Sequence, residues 1–148
     1  MHVARDPDFE ARVRASFARQ QFMSTLGARI ERVLPGEVAI SIPFRADLTQ
    51  QHGFLHAGVV TSVVDSACGY AALSLMEPGA AVLAVEFKVN LLAPAAGSSF
   101  LAVGRVVRSG RTLTVCAGEL VATNEERDTI VALLQGTMMA VRERGLSD

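Results

Sequence analysis

Residues 53–72 read GFLHAGVVTSVVDSACGYAA, and this stretch predicts a central helix over residues 57–75. Val60, Val63, Val64 and Ala67 recur at helical spacing and mark one apolar face. The other faces carry mainly small, apolar or hydroxyl side chains, so we expect the helix to be buried nearly all round. Glu77-Pro78-Gly79 marks its end.

Strand patterns lie on both sides of this helix. Two strands are predicted before it and four after it, at residues 27–34, 37–44, 82–92, 98–108, 112–123 and 129–142. A further helix is predicted over residues 7–24. Strands of ~11 residues reach ~36 Å, and the central helix spans ~28 Å. These lengths predict an α+β fold of the hotdog type, in which a long antiparallel sheet wraps around one helix. We expect a single domain over residues 1–148, with its core at about 20–142.

The composition narrows the classes of partner. Half of the 148 residues are hydrophobic and a fifth are charged, which favours an oligomer that buries apolar faces between subunits. The net charge of −1, without a basic run, speaks against nucleic acid. The lack of an apolar run of ~18 residues speaks against a membrane span. Two cysteines and a charged N-terminus without a signal-peptide core favour a cytoplasmic protein.

Asp65 is the only carboxylate between Asp47 and Glu77, and its surroundings are apolar. Because a buried charge without a partner is costly, such a residue indicates a functional site. Ala57 and Gly58 open the same helix, where free N–H groups can polarise a carbonyl oxygen. Eight residues separate Ala57 from Asp65, or ~12 Å along the axis, which is too far for one carbonyl carbon. We therefore expect a two-fold dimer with composite sites; the alternative is that Asp65 caps a backbone group of its own subunit.

Other polar residues near this helix have two interpretations each. His56 is either a site residue or a turn histidine that bonds local backbone. A metal site of His52, His56 and Asp65 is not expected, since Gly53 and the loop do not hold the two histidines on one helical face. Cys68, in apolar surroundings, is predicted to be a core thiol. Arginines 105, 108 and 111 either grip phosphates or are solvated strand ends.

A resemblance follows from the spacing of these residues. The pattern Gln50-(x5)-His56-Ala57-Gly58-(x6)-Asp65 resembles the "Asn/Gln … His-Gly-Gly … Asp/Glu" pattern of PaaI-type hotdog thioesterases, in the 4-hydroxybenzoyl-CoA thioesterase-like superfamily. Residues 85–94 and the segment 108–111 resemble the strands that follow, so the likeness runs over about residues 20–142. It implies a hydrolase that cleaves acyl-coenzyme A thioesters without a cofactor. It also implies a dimer or a dimer of dimers, with sites at subunit interfaces.

The resemblance implies a role for each matching residue. Asp65 would be the nucleophile or general base, Ala57 would supply the oxyanion N–H, His56 would bond the carbonyl or the leaving sulfur, and Gln50 would orient water or the carboxylate. Substrate contacts would come from residues Gly58, Arg108, Ser109, Gly110 and Arg111. Where relatives have a helper hydroxyl and a cation, this chain has Ala84 and Ala93. The alternatives are a 3-hydroxyacyl-thioester dehydratase with His56 as base, and a non-catalytic acyl-CoA-binding protein.

Overall fold

Three α-helices, one short 3-10 helix (Ala46–Leu48) and six strands make up the computed structural model, which describes residues 2–124, 127–142, 145, 146 and 148. The helices are α1 (Phe9–Arg19), α2 (Gln21–Thr25) and α3 (Ala57–Leu73). The strands are β1 (Arg29–Leu34), β2 (Glu37–Pro43), β3 (Ala81–Leu91), β4 (Ser99–Ser109), β5 (Leu113–Thr123) and β6 (Thr129–Val141). The predicted α+β hotdog architecture is confirmed.

The strands form one antiparallel sheet in the order β1-β2-β4-β5-β6-β3. Successive strands β4, β5 and β6 pair as hairpins, as their turn signals predict. β3 pairs with β6 instead of with its chain neighbour β4, so it forms the outer edge of the sheet. An edge strand presents unpaired backbone groups to any neighbouring chain.

Helix α3 lies against the concave face of the sheet, and two glycines allow it to come close. A Cβ atom on Gly104 of β4 would lie 2.3 Å from the carbonyl carbon of Ala67, and one on Gly118 of β5 would lie 2.6 Å from Val64 Cγ1. The backbone of the sheet therefore packs directly on the helix. Among the described residues, no helix has both the length and the hydropathy to cross a bilayer.

The N-terminal segment differs from the prediction of one helix over residues 7–24. The helix is interrupted at Gln20, whose extended ψ of 91° separates α1 from α2. α1 is fixed to the C-terminal end of α3 by Arg12. Its guanidinium donates to the carbonyl oxygens of Leu73, Met76 and Glu77 at 3.1, 2.7 and 2.6 Å. Since α3 leaves its last carbonyls without intrahelical partners, the cation suits this end and holds α1 beside the central helix.

Candidate active site

The first turn of α3 is capped by a histidine. His56 is the N-cap residue, and its Nδ1 accepts from the backbone N–H of Gly58 at 2.8 Å. Because Nδ1 is an acceptor, the neutral ring carries its proton on Nε2, which is left to donate. A free N–H at Gly58 was expected, and that expectation is wrong, since this N–H is used in the cap. The missing side chain of Gly58 leaves room for the ring: a Cβ there would lie 3.0 Å from Nδ1.

Ala57 retains an unpaired backbone N–H. No acceptor among the described residues bonds it, because His56 caps the following residue instead. Ala57 lines a cavity of ≈ 420 Å³ together with Gln50, whose Oε1 accepts from the backbone N–H of His52. All of the remaining lining is apolar and comes from residues Phe54, Leu55, Val60, Leu91, Leu92, Ala93, Pro94, Ala95 and Val131. The structure thus brings together Ala57 and Gln50, two of the four predicted catalytic residues.

Asp65 lies two turns further along α3 and lines a different cavity, of ≈ 370 Å³. Its carboxylate makes no hydrogen bond to any described residue, and Oδ1 is buried. The alternative in which Asp65 caps a backbone group of its own chain therefore does not hold. Burial raises the pKa of the Asp65 carboxyl above its ordinary value, since desolvation disfavours the charged form. An unpaired carboxylate with a raised pKa is a stronger base than an ordinary surface Asp.

The predicted catalytic residues are consequently divided between two cavities of one chain. The Ala57 cavity lies at the N-terminus of α3, and the Asp65 cavity lies along its side. Asp65 is eight residues beyond Ala57, which is ~12 Å along the helix. Ala84, the position without the helper hydroxyl, lines the Asp65 cavity, and Ala93 lines the Ala57 cavity.

The predicted phosphate-binding segment lies apart from both cavities. Arg108 and Arg111 are exposed at the β4–β5 hairpin, where the N–H of Gly110 donates to the carbonyl of Leu113 at 2.8 Å. Arg105 is already shared by two carboxylates, those of Glu37 and Glu119, at 2.9 Å each. Of the three arginines considered for phosphate, the structure thus commits Arg105 to ion pairs on the sheet surface.

Several polar residues of the Asp65 cavity were not found by sequence reasoning. They come from α1, from Gln20, from α3 and from the C-terminal residue, and they are Ser16, Arg19, Gln20, Ser66, Tyr70 and Asp148. Tyr70 is the only tyrosine of the chain, and a tyrosine inside an otherwise apolar helix was the available signal. Its ring meets that of Phe17 edge-on at 5.7 Å, which ties α1 to the cavity wall.

The described residues do not support metal-dependent or thiol-dependent chemistry. No group of three His, Cys, Asp or Glu side chains within the described ranges could hold a metal ion. Cys68 is fully buried, as predicted, and burial raises the pKa of its thiol. A buried thiol with a raised pKa is a poor nucleophile.

Comparisons with known proteins identify the family of this chain. The family model of the thioesterase superfamily matches residues 52–128, which include His56, Ala57 and Asp65. A thioesterase family protein from Silicibacter pomeroyi has a solved structure that is 53% identical, with a TM-score of 0.90, covering 91% of this chain and 99% of that one.

Two further solved structures share the fold at lower identity. The PaaI protein of the E. coli phenylacetic acid degradation operon is 24% identical with a TM-score of 0.81, covering 90% of this chain and 94% of its own. A Haemophilus influenzae thioesterase is 20% identical with a TM-score of 0.78, covering 88% and 91%. On the family match and the Silicibacter pomeroyi structure, the chain belongs to the thioesterase superfamily.

Proposed function

We propose that this protein hydrolyses acyl-coenzyme A thioesters at sites shared by two copies of the chain. In each site, Asp65 comes from one subunit, and the 50–58 segment with the Ala57 N–H comes from the other. The observation that carries the proposal is the pair of unsatisfied groups: a buried, unbonded Asp65 oxygen and an unpaired Ala57 N–H, which line separate cavities. Superfamily membership supports thioester hydrolysis as the reaction.

The sheet edge supports the shared site. Phe87 and Leu91 of β3 are 45% and 53% exposed, although their register with Gly136 and Ala132 directs them to the side of the sheet that α3 packs on. An edge strand with exposed apolar side chains is suited to pairing with a second copy. A two-fold axis there would set two α3 helices antiparallel, so that each Asp65 comes level with the partner's helix N-terminus.

The chemistry assigns one task to each group. The Asp65 carboxylate either removes a proton from a water whose oxygen bonds to the thioester carbon, or forms that bond itself and is then released by water. The negative charge that develops on the carbonyl oxygen is stabilised by the Ala57 N–H at the positive end of the α3 dipole. The C–S bond then breaks, its electron pair leaves with sulfur, and sulfur takes up the proton that the water gives up, so the products are the free acid and coenzyme A.

The position of His56 favours hydrolysis over dehydration. A 3-hydroxyacyl dehydratase would need His56 as a base with a free ring nitrogen. Here Nδ1 is occupied by the Gly58 N–H, and Nε2 carries the proton, so the ring can donate but cannot accept. Such a donor suits the carbonyl oxygen or the leaving sulfur of a thioester.

The test is thiol release from a panel of acyl-CoAs, with product identification. We expect wild-type protein to release free acid and coenzyme A. Asp65→Asn should lower turnover by ~10²–10⁴, the usual effect of a positioned acid or base, while the exposed Asp128→Asn serves as a matched control with unchanged activity. A folded Asp65→Asn variant with wild-type thiol release would exclude the mechanism. Formation of an enoyl product, or binding without any product, would favour the two alternatives.

A further inference from the structure

A chain of hydrogen bonds forms one wall of the Asp65 cavity. Tyr70 Oη donates to Gln20 Oε1 at 3.0 Å, and Gln20 Nε2 donates to Ser66 Oγ at 3.3 Å. Tyr70 and Ser66 are buried on α3, while Gln20 comes from the break between α1 and α2. Gln20 and Asp65 line the same cavity, so these hydrogen bonds hold the Gln20 carboxamide in the cavity that contains the candidate catalytic carboxylate.

The Gln20 carboxamide keeps unused hydrogen-bonding capacity. A carboxamide has two N–H donors and an oxygen with two lone pairs. Tyr70 uses one lone pair and Ser66 uses one N–H, and the second N–H has no acceptor among the described residues. Since Gln20 lines the cavity, this N–H is available to a molecule bound there.

The rest of the cavity is unsuited to a plain alkyl chain. Seven of its eleven lining residues, Asp65 included, have polar or charged side chains, and the others are Gly69, Val82, Ala84 and Met138. An alkyl group would desolvate the polar groups that still lack a partner, Asp65 Oδ1 and the second Gln20 N–H, without bonding them, which costs free energy for each. A cavity of ≈ 370 Å³ also limits the size of the group that enters.

Building on the proposed thioester hydrolysis, we propose that Gln20 determines specificity for the acyl group. Its free N–H donates to an oxygen carried by the acyl group away from the thioester, so the site favours acyl groups that bear a hydroxyl or carbonyl over alkyl groups of the same size. Tyr70 is a positioning residue, because its hydroxyl holds the carboxamide oxygen and leaves the N–H directed to the ligand. Gln20 lies outside residues 52–128, the span of the family match, whereas Ser66 and Tyr70 lie within it.

The experiment compares pairs of acyl-CoAs that differ only in a terminal hydroxyl in place of a terminal methyl. For wild-type protein we expect a higher kcat/KM with the hydroxyl substrate of at least one pair. Gln20→Leu, which keeps the size but removes the carboxamide, should lower the hydroxyl-to-methyl ratio by about tenfold, the scale of one neutral hydrogen bond left unmade. Gln21→Leu, at the exposed neighbour, is the matched control and should leave the ratio unchanged.

Tyr70→Phe gives a second, milder variant. It keeps the ring contact with Phe17 but removes the donor to Gln20, so it should lower the same ratio by less than Gln20→Leu does. If Gln20→Leu does not fold, the hydroxyl-to-methyl ratio of kcat/KM in Tyr70→Phe tests the role of Gln20, and an unchanged ratio there would refute it. An unchanged ratio in a folded Gln20→Leu variant would overturn the assignment of Gln20.

Binding measurements separate this inference from the proposed reaction. The same pairs are prepared as coenzyme A thioethers, which cannot be hydrolysed, and their Kd values are measured for each variant. Absence of thiol release with all thioesters would refute hydrolysis, and the ratio of Kd values would still decide the role of Gln20. Conversely, thiol release by wild type with ratios that do not change in Gln20→Leu would refute Gln20 recognition alone.

Discussion

Replacing Ala57 by proline removes the proposed oxyanion donor with little other change. Ala57 is the first residue of α3, and its N–H bonds no described acceptor, so no intrachain hydrogen bond is lost. Proline is favoured at this helix position. The preceding residue, His56, already has the extended conformation that a following proline requires, with φ −61° and ψ 140°. We therefore expect Ala57→Pro to fold with nearly unchanged stability.

The expected loss of activity follows from the role of the N–H. Removal of one oxyanion donor costs ~2.7–4 kcal/mol of transition-state stabilisation, or ~10²–10³ in kcat. Ala57→Val is the matched control, because it adds similar bulk and keeps the N–H. Thiol release and the melting temperature are measured for both variants. Equal thiol release by the two folded variants would show that the Ala57 N–H is not the donor.

Mixing this variant with Asp65→Asn tests whether two chains share each site. Neither homodimer should be active, since every site lacks either the N–H or the carboxylate. In a heterodimer, one site combines both defects, and the other combines an intact Asp65 with an intact Ala57. Random exchange makes about half of the dimers heterodimers with one intact site each, so about a quarter of wild-type activity should return. Verified heterodimers without activity would show that each site is built within one chain.

The remaining predictions concern the hairpin arginines, the pH dependence of activity and the pH dependence of stability. Arg108→Ala combined with Arg111→Ala should raise KM more than it lowers kcat and weaken the dependence of KM on salt. The reason is that salt screens the attraction between exposed cations and phosphates. An unchanged KM would show that the two arginines are ordinary surface charges. Burial raises the pKa of Asp65, and the carboxylate is the reactive form. We therefore expect kcat/KM to fall in acid, with a midpoint above the ordinary pKa range for Asp. A midpoint within that ordinary range would contradict the role of Asp65 as the catalytic carboxylate. The raised pKa also means that ionised Asp65 destabilises the fold above its folded-state pKa, and that this effect vanishes below the unfolded-state pKa; Asp65→Asn should therefore raise the melting temperature at neutral pH and leave it unchanged in acid.

The sequence alone determined the architecture of this protein. Alternating side chains over four long segments and an apolar helix around Asp65 suffice for a sheet wrapped around a helix, because strand and helix periodicities are local properties of the chain. The same reasoning proposed Asp65 and Ala57 as site residues and predicted that one helix holds them too far apart for one reaction. The superfamily resemblance, carried by the spacing of Gln50, His56 and Asp65, is confirmed by the family match.

Only the tertiary structure decided which polar groups are free and which are used. The occupation of the Gly58 N–H by His56 depends on a side-chain rotation, and the placement of β3 beside β6 depends on pairing between distant segments. The position of the Gln20 carboxamide likewise depends on distant residues, since it bonds Tyr70 and Ser66, roughly fifty residues away in sequence. Local periodicity carries no information on such long-range contacts, and they are what give the Asp65 cavity its polar wall.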